Sequence, residues 1–301
     1  MGAPTLSVIT VTYGRPALLA RKVEALRAQT LEAHGFEWCV TTNGDPAAAA
    51  WLRGLGLAFP LTVVEVEHNG SVAAARNLAA QAATGAVLLL SDDDVMPGPE
   101  CLAAHVRAHA GEHAHARQRE QRAGRVVIGD LRLPEELRGG SVREPFEKLA
   151  SLAGRGSWVN ATGANTSLPR ADFLAVGGYD PAFAGYGGED SDLALRLLRR
   201  GATFWRSPPA WATHVGRVVT DTAKAYLAGR AGVKVWRKNG GVATALMLGV
   251  HPFSLAVKRL VLDTPLRGFY DPETAAYEDA YARGARDELR SLPATTKEEL
   301  R

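Results

Sequence analysis

Three consecutive carboxylates, Asp92-Asp93-Asp94, follow the apolar run 87–90. Adjacent carboxylates repel one another, so three together at a buried strand end are costly unless a cation offsets them. Mg²⁺ and Mn²⁺ take oxygen ligands and bridge one or two carboxylates to substrate phosphates. On an extended strand Asp92 and Asp94 stand on one side, so one can hold a metal while the other orients a sugar or ribose. A solvated acidic turn is the competing reading, because Asp is common in turns. A second acidic set, Glu189, Asp190 and Asp192, follows Gly185-Tyr186-Gly187-Gly188. Those glycines allow tight turns and close approach of a substrate. A carboxylate beside them can act as general base on a hydroxyl within hydrogen-bond reach. Acids also suit a helix N-terminus, a role that one of the three can fill.

The elements that must position these clusters alternate along the chain. Residues 5–13 are β-branched and apolar and stop at Gly14-Arg15-Pro16, which predicts a buried strand and a turn. Leu18, Leu19, Val23 and Leu26 then recur at helical spacing over 17–29. A strand over 36–42 ends at Asn43-Gly44-Asp45-Pro46; a helix over 47–55 and a strand over 61–67 follow. After the loop His68-Asn69-Gly70 come a helix over 72–83 and a strand over 86–90 that runs into the three aspartates. This order predicts an α/β fold with a doubly wound, mostly parallel sheet. Ligands of such sheets bind beyond the carboxyl ends of the strands, where the acidic cluster lies.

Further on, the pattern predicts a polar helix over 99–123, a strand over 126–133 and a short helix near 146–152. An amphipathic helix over 191–200, with Asp190 at its start, precedes a short strand around Phe204, then Pro208-Pro209 and His214. Residues 217–301 have a different texture and predict helices over 222–239, 242–262 and 274–292, a helical extension to a first domain spanning 1–216.

Composition narrows the function classes. Of 301 residues 46% are apolar and 22% charged, as in globular proteins. A net charge of +3 is too mild to imply nucleic acid as a partner. Cys39 and Cys101 make neither a disulfide framework nor a CxxC metal site. The start lacks the basic and apolar regions of a signal peptide, and no apolar run of spanning length is free of charge or proline, so the expectation is a soluble cytoplasmic protein. Charge is unevenly spread: residues 196–270 hold 13 Lys or Arg and two acids, Asp221 and Asp263. That excess suits a diphosphate, an anionic membrane or a lipid-phosphate-linked acceptor. The apolar stretch 242–262, with Pro252 inside and Lys258-Arg259 near its end, fits a membrane surface, although an ordinary packed helix or a dimer interface is the preferred reading.

His105, His109 and His113 share one helix face at a spacing that suits Zn²⁺, but Gly111 and the arginines 117, 119 and 122 favour a solvated surface. Cys39 reads as a core thiol; Trp205 and Trp211 suit either sugar stacking or packing.

The order SVITVTYGRP, SVAAARNLA, LLLSDDD, GYGGEDSDLALRLLRRG and then His214 resembles the inverting family 2 glycosyltransferases, over about residues 5–216. The Gly-Tyr-Gly-Gly-Glu-Asp stretch is similar to related galactosyl- and N-acetylgalactosaminyltransferases. The resemblance implies the GT-A nucleotide-sugar-binding fold and a metal-dependent inverting transfer, in polysaccharide or glycoconjugate synthesis. It implies that Thr12, Tyr13 and Arg15 line the nucleotide pocket, and that Arg76 lies near the donor diphosphate. Asp92 and Asp94 match the metal-binding DxD motif with Asp93 in its middle, and His214 matches a further metal ligand, for Mn²⁺ or Mg²⁺. Asp190 matches the catalytic base, with Glu189 positioning the acceptor; Asn165 and Trp158 fall where donor and acceptor contacts cluster. The implied partners are a nucleotide-sugar donor, UDP-sugar first and GDP- or dTDP-sugar next, and a glycan, lipid-linked or small-molecule hydroxyl acceptor. Peripheral contact with the inner face of a membrane and a homo-oligomer built on the C-terminal helices also fit. One departure stands out. Where family members carry a carboxylate pair after the second strand, this chain has Thr41-Thr42-Asn43-Gly44-Asp45, so either Asn43 or Asp45 stands in for it.

Two other classes fit parts of the pattern. A nucleotidyl- or phosphoryl-transfer enzyme shares the sheet and the acidic site, but its Gly-rich signature with a lysine is missing near residues 6–25, where only Lys22 stands, inside a predicted helix. A silent nucleotide-sugar-binding protein would have lost Asp190 or the DxD, and both are present.

Overall fold

β-Branched and apolar residues make β1 (Leu6–Thr12) and β2 (Phe36–Asn43), buried along their whole length as central parallel strands are. In the computed structural model the described residues are 4–67, 71–110, 123–132, 156–215 and 221–292. The chain divides into two compact units, one of residues 1–181 with 193–216, the other of 182–192 with 217–301.

In the first unit α1 (Pro16–Arg27) follows β1 and buries Leu19, Lys22, Val23 and Leu26. Local chemistry sets the next two helix starts. Asp45 accepts from Ala48 N at 2.9 Å to cap α2 (Pro46–Arg53), and Ser71 accepts from Ala74 N at 3.2 Å to cap α3 (Val72–Ala82). Between them runs β3 (Leu61–Val66), and after them β4 (Val87–Leu90). Then follow β5 (Val95–Pro97), α4 (Cys101–His109), β6 (Arg125–Arg132), β7 (Thr166–Pro169), α5 (Arg170–Ala175), α6 (Glu189–Arg199) and β8 (Thr203–His214). The eight strands form one sheet in the order β3-β2-β1-β4-β7-β6-β8-β5. β3 to β4 are parallel, as is β6 with β8; β7 runs antiparallel to both its neighbours, and β5 to β8. Leu19, Val23 and Leu26 of α1 pack with Leu6, Val8, Trp38 and Leu89 of the sheet.

The sequence predicts only a short strand around Phe204, because two prolines follow it. The structure carries β8 on to His214: the β6–β8 ladder breaks between Gly129 and Leu131, so Pro208 and Pro209 fall in the gap and cost no ladder bond. Pairing resumes at Leu131 with Ala212, and the end of β8 sets His214 opposite Val95. The expected polar helix over 99–123 is described as far as His109; its remainder with His113, the helix expected near 146–152 and the loop residue His68 lie outside the described residues.

The second unit holds α7 (Thr222–Asn239), α8 (Val242–Leu248), α9 (Pro252–Leu262) and α10 (Pro272–Ser291). Glycines let α7 and α10 approach backbone to backbone. A Cβ on Gly229 would lie 2.0 Å from the Tyr281 carbonyl oxygen, and one on Gly284 1.9 Å from that of Tyr226. The single helix expected over 242–262 is two helices, because Gly249 takes the left-handed conformation (φ 70°, ψ 22°) and Pro252 opens α9. Residues 182–192, placed by sequence with the first domain, pack with the helices of this unit. Asp192 pairs with Lys238 at 2.8 Å and accepts from Asn239 at 2.9 Å, while Gly188 lies against Phe183 and Ala231.

Candidate active site

The parallel register that sets Leu90 beside Ile9 brings the three aspartates after β4 next to the residues after β1. Asp93 is fully buried, accepts from Thr12 Oγ1 at 2.9 Å and from Arg15 Nε at 3.1 Å, and forms a second contact with the Arg15 guanidinium. Arg15 Nη1 reaches Asp94 at 2.9 Å, and Arg76 Nη2 reaches Asp92 at 2.6 Å. Two guanidiniums thus offset three crowded carboxylates. Burial still pushes the Asp93 carboxyl up to about 6, against the pull of Arg15 and Thr12.

Lys22 fixes the backbone of the same turn. It stands on the buried face of α1, and its Nζ donates to Ser91 Oγ, to the Asp92 carbonyl at 3.0 Å and to the Val95 carbonyl at 2.7 Å. Burial draws its ammonium down to about 8, with Asp92 and Asp93 opposing the shift. Sequence reading set Lys22 aside as a mid-helix residue. Its signal was the spacing, since position 22 falls on the stripe of Leu19, Val23 and Leu26. A lysine there needs acceptors in the interior.

β8 supplies the remaining group. Val215 N donates to the Asp94 carbonyl at 2.8 Å, and His214 Nε2 stands 3.6 Å from Asp94 Oδ1. That gap is too long for a hydrogen bond, and it suits two donors directed at one ion. His214 Nδ1 has no hydrogen-bond partner among the described residues, so no contact there fixes the ring tautomer. The Asp94 carboxylate fits Mn²⁺ or Mg²⁺, which usually keep most positions for substrate phosphates and water, and the His214 imidazole suits Mn²⁺ better than the harder Mg²⁺. Asp92, expected as a ligand with them, is drawn instead to Arg76. Among the described residues no three His, Cys, Asp or Glu gather around one point. The donor set therefore suits an ion completed by a diphosphate and not an all-protein cage.

Other expected residues fall in three places. Tyr13 is 56% exposed at the end of β1, beside Arg15. Arg76 is buried under the Tyr179 ring and also fills the space a Cβ on Gly163 would need. Asn43 is buried at the end of β2, and Asp45, its alternative, is engaged as the cap of α2. Asn165 is interior: its amide donates to the carbonyls of Asp130 and Ala210, and its Oδ1 faces His105 Nε2 at 3.0 Å. It binds strands to helix and has no side-chain atom left for a ligand. The solvated face expected for His105 and His109 is corrected: both are buried, hydrogen-bonded to Ser167 Oγ at 2.8 and 2.9 Å. Burial lowers His105 to about 4, so it is neutral. Trp158 is buried. Trp205 and Trp211 lie under the guanidiniums of Arg125 and Arg132, at 4.8 and 4.2 Å.

In the second unit Glu189, Asp190 and Asp192 form the first turn of α6, where the helix dipole favours acids. Gly187 and Gly188, at φ 85° and 94°, make the entry that a residue with a Cβ would resist. Asp192 is fully buried in its pairing with Lys238 and Asn239, whereas Glu189 and Asp190 are half-buried.

Known proteins resemble this chain in sequence and fold. Residues 7–155 match the glycosyl transferase family 2 model, and residues 144–220 the model described as the N-terminal domain of galactosyltransferase. A validoxylamine A glucosyltransferase of Streptomyces hygroscopicus subsp. jinggangensis is 30% identical over 239 residues, covering 69% of this chain and 54% of that protein. The uncharacterized glycosyltransferase YfnE of Bacillus subtilis is 25% identical, covering 66% of this chain and 61% of that one. The chain spans about half the length of the Streptomyces relatives it matches. A mannosyltransferase of Pyrobaculum calidifontis, solved with GDP-Man and Mn²⁺, superposes with a TM-score of 0.69 at 17% identity, over 97% of this chain and 89% of that one. The fold is GT-A, and together these matches support a family 2 glycosyltransferase.

Proposed function

We propose that the protein is a metal-dependent inverting glycosyltransferase that moves a sugar from a nucleotide-sugar donor to a hydroxyl acceptor, in polysaccharide or glycoconjugate synthesis. The observation that carries this reading is the convergence of Asp94 and His214 beyond β4, with Arg15 and Arg76 set against the same acidic turn. Tyr13 offers an exposed ring to the nucleotide. Thr12, Arg15 and Lys22 hold the turn rigid, so the carboxylates meet the donor in one arrangement. Asp92 orients the ribose or sugar, and Arg76, with which it pairs, offsets negative charge on the leaving diphosphate. Mn²⁺ or Mg²⁺, when held by Asp94 and His214, supplies further positive charge for that leaving group.

Asp190 serves as the general base, with Glu189 positioning the acceptor. The acceptor oxygen gives its proton to Asp190 and attacks the anomeric carbon from the face opposite the nucleoside diphosphate, which departs. One displacement inverts the configuration and forms no sugar–enzyme bond. Nucleotidyl transfer is the weaker reading, because Lys22 is spent on the turn's own carbonyls and is unavailable to phosphate.

The donor is a UDP-sugar first and a GDP- or dTDP-sugar next; the Pyrobaculum neighbour's GDP-Man earns GDP its place. Validoxylamine A joins glycans and lipid-linked sugars among the acceptors to try, after the Streptomyces relative. The test is a thermal-shift panel of UDP, GDP, dTDP, CMP and ADP, each with and without Mn²⁺. One nucleoside diphosphate is expected to raise the melting temperature only with metal, by about 2.7 kcal/mol of stabilisation at a hundredfold excess over Kd. Folded protein that responds to no nucleotide refutes the reading.

A further inference from the structure

In the second unit Ala245 of α8, Val250 between the two helices and Leu255 of α9 face inward and share a core with Val233 and Trp236 of α7 and Ala282 of α10. Their outer faces are also apolar. On α8 these are Val242, Leu246 and Met247, on α9 Phe253, Val257 and Leu260, each 42–67% exposed. Positions 253, 257 and 260 follow the i, i+4, i+7 spacing of a single stripe. A helix on a water-facing surface carries polar residues on that stripe. One apolar on both sides belongs in a core or at a lipid boundary.

The two helices do not span a bilayer. They are 7 and 11 residues long, separated by the left-handed Gly249 and by Pro252, and their inner sides are occupied by protein. At 1.5 Å per residue neither approaches the roughly 30 Å of a hydrocarbon core. They are built to lie on a surface.

Charge indicates which surface. Residues 222–268 hold eight Lys or Arg against one acid, Asp263. Arg230, Lys238 and Lys258 pair inward with Glu288, Asp192 and Glu278. Arg237 is exposed just before α8 and Arg267 is exposed beside the exposed Leu266, while Arg259, which flanks the α9 stripe, pairs with the exposed Asp263 at 3.2 Å. We propose that the outer faces of α8 and α9 dock on an anionic lipid surface, with their apolar side chains in the interface and these arginines on the headgroups. A second copy of the chain fits less well, since a two-fold interface would set this basic rim against itself. The proposal is independent of the catalytic reading, because its test contains no nucleotide.

The experiment is flotation of the full chain with phosphatidylcholine vesicles, with and without phosphatidylglycerol, at low and high salt. Flotation is expected only with phosphatidylglycerol and is expected to fade with salt. The pair Phe253→Ser and Leu260→Ser is expected to weaken it roughly tenfold or more, since each side chain loses its burial in the interface, with the melting temperature unchanged. If the serines lower the melting temperature, the alanine pair at the same positions is read instead. Arg237→Glu with Arg267→Glu is expected to abolish the preference for anionic vesicles. Failure to float with anionic vesicles, flotation indifferent to the apolar substitutions, or a dimer by light scattering that the serine pair dissolves would each overturn the proposal.

Discussion

The chain carries two acidic clusters, and each contains one carboxylate that is fully buried. In the turn after β4 it is Asp93, gripped by Arg15 and Thr12; in the first turn of α6 it is Asp192, held by Lys238 and Asn239. Their neighbours keep contact with solvent: Asp92 and Asp94 with side chains 33% and 15% exposed, Glu189 and Asp190 half-buried. The two clusters solve charge repulsion differently. The first brings in two arginines and a lysine from three different helices and loops, and the second uses a helix N-terminus and one lysine. The shared lesson is a division of labour. A fully buried acid anchors each cluster, and the acids beside it keep part of their surface open to solvent. Two histidines repeat the pattern, His105 inside a hydrogen-bond network and His214 at the edge facing Asp94.

Substitutions can break this division, and the largest effect is expected at a half-open acid. Asp190→Asn is expected to lower kcat by about 10²–10⁴-fold, the span of a lost general base, with nucleotide binding by calorimetry unchanged. Retained transfer removes Asp190 from the base role. Next come the buried acids. Asp93→Ala and Asp192→Ala each remove a fully buried acceptor from its donors, Thr12 and Arg15 in one case and Asn239 and Lys238 in the other, and each is expected to cost about 1–3 kcal/mol in urea unfolding. A loss under about 1 kcal/mol in either would mean the pair is ornamental and the comparison fails there.

The histidines sharpen the same contrast. His105, lowered to about 4 by burial, stays neutral in the fold while the unfolded chain takes up a proton near 6.5. Its contribution is complete above pH 6.5 and is lost as pH falls toward 4, on the order of 3 kcal/mol. His105→Gln is expected to flatten that part of the stability–pH curve and to leave Mn²⁺-dependent nucleotide affinity alone; an unchanged slope would count against the buried assignment. The smallest effect is expected at the ligand pair. Asp94→Ala and His214→Ala should each weaken Mn²⁺-dependent nucleotide binding by roughly 10–100-fold, with little change in stability. Equal affinity with and without either side chain would take the metal away from this pair.

Much of the first unit was readable in the residues. Strand and helix alternated where apolar runs gave way to helical spacing, and the acidic turn stood beyond an apolar strand, where open α/β sheets place ligands. What escaped was short or non-local. β5 and β7 are three and four residues long, too short for a periodic signal, and the prolines in β8 masked a strand that survives by breaking its ladder. Residues 182–192 looked continuous with the first domain, and only their packing on α7 assigns them to the second unit.

The sequence by itself determined what nearest neighbours decide: strands from β-branched runs, helix starts from Asp45, Ser71 and Asp221, and the break at Gly249 and Pro252, whose residues were visible though their effect was not anticipated. Caps and turns form within a few residues, so their chemistry is written in order along the chain. Tertiary structure alone decided which acid of each cluster went inside, where Lys22 sends its amine, and that His214 meets Asp94 across β8 and β5. Burial and cross-strand register depend on partners up to 120 positions away, as with Asp94 and His214, and no local spacing encodes the distance between residues that only a sheet brings together.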